Sequence, residues 1–170
     1  LTFHVSRLQA ATRLTDGSDN LSLVQVLPSL EEFDNFAEGF HKGSDNAMVH
    51  VVLVNCHWIP IVCLRSNFTT RIFVPAEAAM TVANHMSDRP QFVVVGVGES
   101  CTHNMCGAMT LDILALLFCG TPTATSIDEL ECRHLHWKHE YNIGGFSCPL
   151  TGVYGFGPQG TLTSALATEL

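Results

Sequence analysis

The sequence predicts an α+β fold, a mostly antiparallel central sheet packed by helices, and three observations carry that prediction. Short blocks of β-branched and aromatic residues crowd between Met48 and Val74, as strands require. Helical spacing of apolar residues brackets them, at Leu30 to Phe40 and at Pro75 to Met86. A later run, Gly107 to Phe118, is apolar on every side, which marks a helix buried at the centre of a domain. With 170 residues, 46% of them hydrophobic, the chain can bury its own core without a disulfide or metal staple. One domain over residues 1–170 is expected.

In chain order, Ser6 to Leu14 reads as a short helix, residues 16–20 as a turn, and Leu21 to Leu27 as an alternating stretch. Ser29 caps the next helix, with Glu32 three residues on, and Leu30, Phe33, Phe36 or Ala37, and Phe40 form its apolar stripe. Buried strands follow at Met48 to Val54, His57 to Leu64 and Thr70 to Val74, the last after a turn at Ser66-Asn67-Phe68. Pro60 has no N–H for a ladder, so an edge position or a bulge is expected there. Phe92 to Val97 reads as another buried strand. Beyond Gly120, Ser126 to Glu131 begins a helix, Arg133 to Tyr141 is a strand, and residues 144–160 are rich in glycine. Leu162, Leu166 and Leu170 make one helical stripe that runs to the last residue. With a first residue that is Leu1, this points to a domain excised from a longer polyprotein, leaning on neighbouring domains.

Sixteen acidic residues against eight basic ones give a net charge of −8. Nucleic acid and anionic membranes are polyanions that attract Lys and Arg, so neither is an expected partner. The longest apolar run, Ala108 to Cys119, is too short to span a bilayer and holds Asp112, whose carboxyl needs a hydrogen bond if buried. Seven cysteines, an odd number, and the lack of any Cys-x-x-Cys pair point to free thiols in a reducing intracellular compartment. No cofactor is called for.

Cys106-Gly107 stands where a polar loop, Gly98 to Met105, meets the apolar helix. Unsatisfied N–H groups and the positive end of the helix dipole favour thiolate at such a position. Gly107, lacking a Cβ, lets a substrate carbonyl approach. A nucleophilic thiol needs a base, and His57 opens a strand beside a sheltering Trp58. Cys101 shares the loop and competes for the role, but only Cys106 starts the helix. Cys56 and Cys63 read as strand residues.

His57-Trp58, Cys106-Gly107 and the strands between them resemble the adenovirus-protease and ubiquitin-like-protein-specific protease group of cysteine peptidases, whose members carry histidine, acid and cysteine in that chain order. The resemblance covers about His50 to Cys119. It implies a papain-like core with the nucleophile at the start of a central helix, a polypeptide substrate, and a viral or mobile-element setting in which such domains process polyproteins. It further implies an orienting acid after the strand that follows the histidine. Glu77 is the nearest, with Asp88 and Glu99 as fallbacks. The family's oxyanion-donor glutamine before the cysteine is absent here. Ser100 stands near its place, Asn104 is the loop's carboxamide, and Met105 replaces the usual aspartate. The function implied is that of a thiol protease or isopeptidase, catalysing through Cys106, His57 and Glu77 with Asn104 or Ser100 at the oxyanion, and binding substrate at Trp58 and Gly107.

Three other readings stay open. Cys132, His134 and His136 would share one face of a strand, a usable three-ligand set for zinc. Those histidines could instead serve Cys101 or Cys106 in the papain chain order. A non-catalytic interaction domain of a larger polyprotein would also carry these residues. Gly155 to Gly160 matches Gly-x-Gly-x-x-Gly, but no strand, turn and helix surround it, so a dinucleotide site is not expected.

Overall fold

The computed structural model describes residues 1, 5, 24–97, 106–119, 124, 126 and 128–132. The chain divides into two compact units, Leu21–Ser100 on one hand and Leu1–Asn20 with Cys101–Leu170 on the other. The helix expected at Ser6 to Leu14, the strand at Arg133 to Tyr141, the glycine-rich stretch and the last leucine stripe lie outside the described residues.

The first unit is a five-stranded sheet in the order β1 (Val26–Leu27), β2 (Ala47–Val54), β3 (His57–Ser66), β4 (Thr69–Pro75) and β5 (Phe92–Val97). Helix α1 (Leu30–Lys42) connects β1 to β2, and α2 (Ala76–His85) connects β4 to β5. The three middle strands are antiparallel, as expected. Both outer strands pair in parallel. A helical crossover returns the chain to the end of the sheet from which it set out, so the strand after each helix joins its neighbour parallel. The fold class is α+β, and this sheet packs against its helices.

Alternation along the strands sends Met48, His50, Val52 and Val54, with Ile59, Ile61, Cys63, Ile72 and Val74, to one face. Apart from His50, these residues share one core with Leu30, Phe33, Ala37 and Phe40 of α1 and Ala78 and Val82 of α2. Phe33 is wholly buried, and such burial contributes about 2–3 kcal/mol. The alternative left open in the stripe of α1 is settled for Ala37, because Phe36 is 38% exposed while Ala37 is wholly buried. Cys63 is an inert core thiol, its pKa raised by burial. Gly96 of β5 lies where a Cβ would come within 2.8 Å of Ala79, so only glycine lets α2 lie this close.

Both ends of α1 are capped. At its start the Ser29 hydroxyl accepts from the Glu32 N–H at 3.3 Å, as expected. At its end Arg65, near the end of β3, donates to the carbonyls of Phe40 and Gly43 and lies over the Phe40 ring at 5.1 Å. This cation sits at the negative end of the helix dipole. Along the flank of α1, Asp34 accepts from Arg89 at 2.7 Å and meets His85 at 3.0 Å. Glu38 accepts from Gln91 at 3.1 Å, and His41 meets Thr70 at 3.0 Å. Burial opposes ionisation of Asp34, yet the bonds from Arg89 and His85 hold its carboxyl below the usual range.

Two expectations need correction. Pro60 is in the middle strand of the sheet, neither at an edge nor at a bulge, opposite Val51. Val54 and His57 flank a two-residue turn and exchange hydrogen bonds, so alternate pairs do the same and Val51 and Pro60 fall between them. The Pro60 nitrogen then faces the β4 side, where the ladder reaches only Val62 and Phe73. No donor is missed. Cys56, read as a strand residue, is in the turn itself and exposed.

His50 is 2% exposed. Its Nδ1 accepts the Gln25 N–H at 3.0 Å, which leaves the proton of the neutral ring on Nε2, a buried atom with no hydrogen-bond partner. The ring meets Phe36 edge-on at 4.7 Å. Burial pushes the His50 pKa down to about 4 from 6.5. A depressed histidine contributes stability that is complete above the unfolded value and is lost as pH falls through the window from 6.5 to about 4. At about 1.4 kcal/mol per unit the loss is on the order of 3 kcal/mol. Urea midpoints measured across that window should fall for the wild type. They should fall less for His50→Leu, and an equal slope in the two proteins would refute the assignment.

Candidate active site

One end of the sheet gathers the candidate base and acid. β2, β4 and β5 finish there and β3 begins there, as the pairs Val54 with His57 and Pro75 with Val97 require. Asn55 and Cys56 join β2 to β3 with φ of 50° and 64°. Two left-handed residues make the primed turn that matches the right-handed strand twist. Asn tolerates that conformation, whereas Cys in place of Gly costs roughly 1 kcal/mol. His57 follows directly and is exposed; Trp58 is half-buried.

Glu77 is in the first turn of α2 and exposed. β4 ends at Pro75, two residues before Glu77, at the end of the sheet where His57 begins β3. The acid and the histidine therefore share one end of the sheet. Its plain structural role is also met, since a carboxylate in a first turn favours the helix dipole. Asp88 lies past the other end of α2, where it pairs with Arg89 at 3.7 Å. As a fallback orienting acid it is on the wrong side of the helix.

A second contact holds this end together. Asn55 donates from Nδ2 to the Thr81 hydroxyl at 3.0 Å, tying the hairpin tip to α2. Asn55 could have been found in the sequence, because two residues headed by Asn between two apolar runs signal a primed hairpin. Thr81 gives no such signal, since its partner is 26 residues away.

The candidate nucleophile belongs to the second unit. Cys106 is the first residue of α3 (Cys106–Cys119) and half-buried. A Cβ on Gly107 would meet nothing within 4 Å, so this glycine is not required by packing. From Cys106 to Leu117 no position is exposed, in keeping with a helix apolar all round. Asp112 is 4% exposed and accepts the Ala124 N–H at 2.5 Å, the hydrogen bond its burial demands. Ala108 and Leu130 form a small core with Met109 and Ala124. Ser126 caps the helical residues 128–132 by accepting from the Glu129 N–H at 3.2 Å.

Ser100, Asn104, Cys101, Glu99, His134 and His136 lie outside the described residues. Cys132 is exposed and helical, so the strand face expected to carry Cys132, His134 and His136 does not begin at Cys132. Among the described residues no three His, Cys, Asp or Glu side chains group as a metal site. No helix among them is long and apolar enough to cross a membrane.

Two substitutions check this geometry. Cys56→Gly relieves the left-handed turn and should stabilise the protein by about 0.5–1 kcal/mol in chemical denaturation; no gain would exclude a strained Cys56. Gly107→Ala replaces a glycine in the first turn of α3, with open space around it, and should stabilise by at most about 1 kcal/mol, while slowing alkylation of Cys106 by reagents that approach past it. A destabilised variant would contradict the open space.

No protein-family model and no curated protein matches the sequence. The chain is similar in structure to an AvrA deletion variant with IP6 and CoA, at 18% identity and a TM-score of 0.47, over 87% of this chain and 56% of that one. It is also similar to a de-sumoylating protease, at 9% identity and a TM-score of 0.42, over 81% of this chain and 66% of that one. The chain thus spans less than two thirds of each of these neighbours.

Proposed function

We propose that the protein is a cysteine peptidase or isopeptidase with Cys106 as nucleophile and His57 as base. The observation that supports it most is Cys106 at the first position of α3, half-buried beside open space at Gly107. His57 takes the proton from the Cys106 Sγ, and the thiolate attacks the carbonyl carbon of a polypeptide substrate. The N–H groups that begin α3, with Asn104 or Ser100, hold the oxyanion. The amine leaves with the proton from His57, and a thioester joins the acyl group to Cys106. Water, deprotonated by His57, attacks the thioester and releases the acid and the free thiol. Glu77 orients the imidazole, and Trp58 shelters it. A second amine that reaches the thioester before water would turn the same intermediate to acyl transfer, so product masses identify the reaction.

Iodoacetamide at neutral pH, followed by mass-spectrometric mapping, tests the reading without knowledge of the substrate. Cys106 should label on the order of tenfold faster than exposed Cys56 and Cys132, and Cys63 should not label in the folded protein. Against a ubiquitin-like conjugate or a polyprotein junction, Cys106→Ala should abolish cleavage, and His57→Ala should slow it by about 10²–10⁴-fold. Labelling of Cys106 no faster than that of Cys56 would favour the non-catalytic interaction domain.

A further inference from the structure

We propose that Asn55 and Thr81 are a positioning pair that sets the His57 imidazole against Glu77, a role that rests on the peptidase reading above. Asn55 opens a turn that any residue tolerant of φ near 50° could fill, and glycine would fill it with least strain. What glycine lacks is the side-chain donor, and Asn55 spends its Nδ2 on the Thr81 hydroxyl at 3.0 Å. The bond is exposed and joins residues 26 apart, so it completes neither the ladder nor the helix. Its ends are well placed for another purpose. Asn55 is two residues before His57, and Thr81 is four residues after Glu77, on the same face of α2. One bond thus couples the strand start that carries the base to the helix face that carries the acid.

Without the tether, the exposed hairpin tip loses its side-chain bond to α2. An imidazole that must reach a thiol at hydrogen-bond distance loses rate for small displacements. The pair touches no substrate; it acts through His57.

The test uses Thr81→Val, which keeps the shape and removes the acceptor, Thr81→Ser, which restores the hydroxyl, and Asn55→Gly, which suits the turn and removes the donor. For each, the pH profile of Cys106 alkylation is recorded with the His57 imidazole titration by NMR, and kcat and KM once a substrate is in hand. Thr81→Val and Asn55→Gly should lower alkylation at neutral pH by about three- to tenfold, the worth of one hydrogen bond, and shift the His57 titration. They should reduce kcat with KM unchanged. Thr81→Ser should follow the wild type. If His57→Ala changes the alkylation profile and neither Thr81→Val nor Asn55→Gly does, the positioning role is refuted and the peptidase reading stands. If His57→Ala leaves the profile unchanged, the Cys106 and His57 reading falls, and this inference with it.

Discussion

Asn55 and Cys56 reverse the chain in two residues, both left-handed, and the register of the sheet follows from that reversal. A two-residue turn makes Val54 and His57 partners, and every later pair back to Ala47 and Leu64 is then set. A slip of one residue would send Met48, Val52 and Val54 away from α1 and bring Val49 and Val51 in. The same register explains why a central strand accepts Pro60, which falls between hydrogen-bonded pairs. It also places an exposed histidine where β3 begins, at the end of the sheet where α2 starts. The strained residue of the turn, Cys56, is adjacent to the candidate base.

The polar groups of the first unit are sorted by what they fasten. Arg65 secures the end of α1 to β3, and Asp34, Glu38 and His41 secure its flank to the chain between α2 and β5 and to β4. These contacts are half-exposed, and each contributes little by itself. Their sum is a helix that cannot slide, because its apolar stripe allows translation along the sheet and its polar seam does not. His50 is the opposite case, a buried ring with one nitrogen satisfied by the Gln25 N–H beside β1 and the other buried without a hydrogen-bond partner. Its neutral form is compatible with the core, and its charged form is not.

Periodicity and capping made the elements legible. Strand Phe92–Val97 and the Ser29 cap stand where the residues put them, because both signals are local. The parallel joins at the sheet's edges were not legible, since a strand of two residues, Val26–Leu27, has no periodicity, and crossover pairing is a long-range choice. Of the site, the helix start at Cys106 and the strand start at His57 were legible for the same local reason. The Asn55 and Thr81 bond was not, and neither was the left-handed turn at Cys56. Propensity assigned Cys56 to a strand, and the geometry of the hairpin overruled it. Cys132 is helical, so alternation along a strand does not describe that residue, while His134 and His136 lie outside the described residues.

A helix with a polar stripe is turned by that stripe to face solvent, but α3 is apolar all round and has no such guide. Its rotation must be set by something directional, and the buried carboxyl of Asp112 is suited to that. Rotation of the helix about its axis would pull the Asp112 oxygen from the Ala124 N–H at 2.5 Å and cost that hydrogen bond. Ala108, one turn nearer to Cys106, packs with Leu130 of the helical residues 128–132, and Ser126 holds that turn in shape. The bearing of Cys106 about the helix axis is thus fixed from within its own unit. The proposed role of Cys106 needs this, because a nucleophile acts only along a narrow approach. Asp112 has no part in the proposed chemistry; through its bond to Ala124 it helps set the rotation of the helix that Cys106 begins.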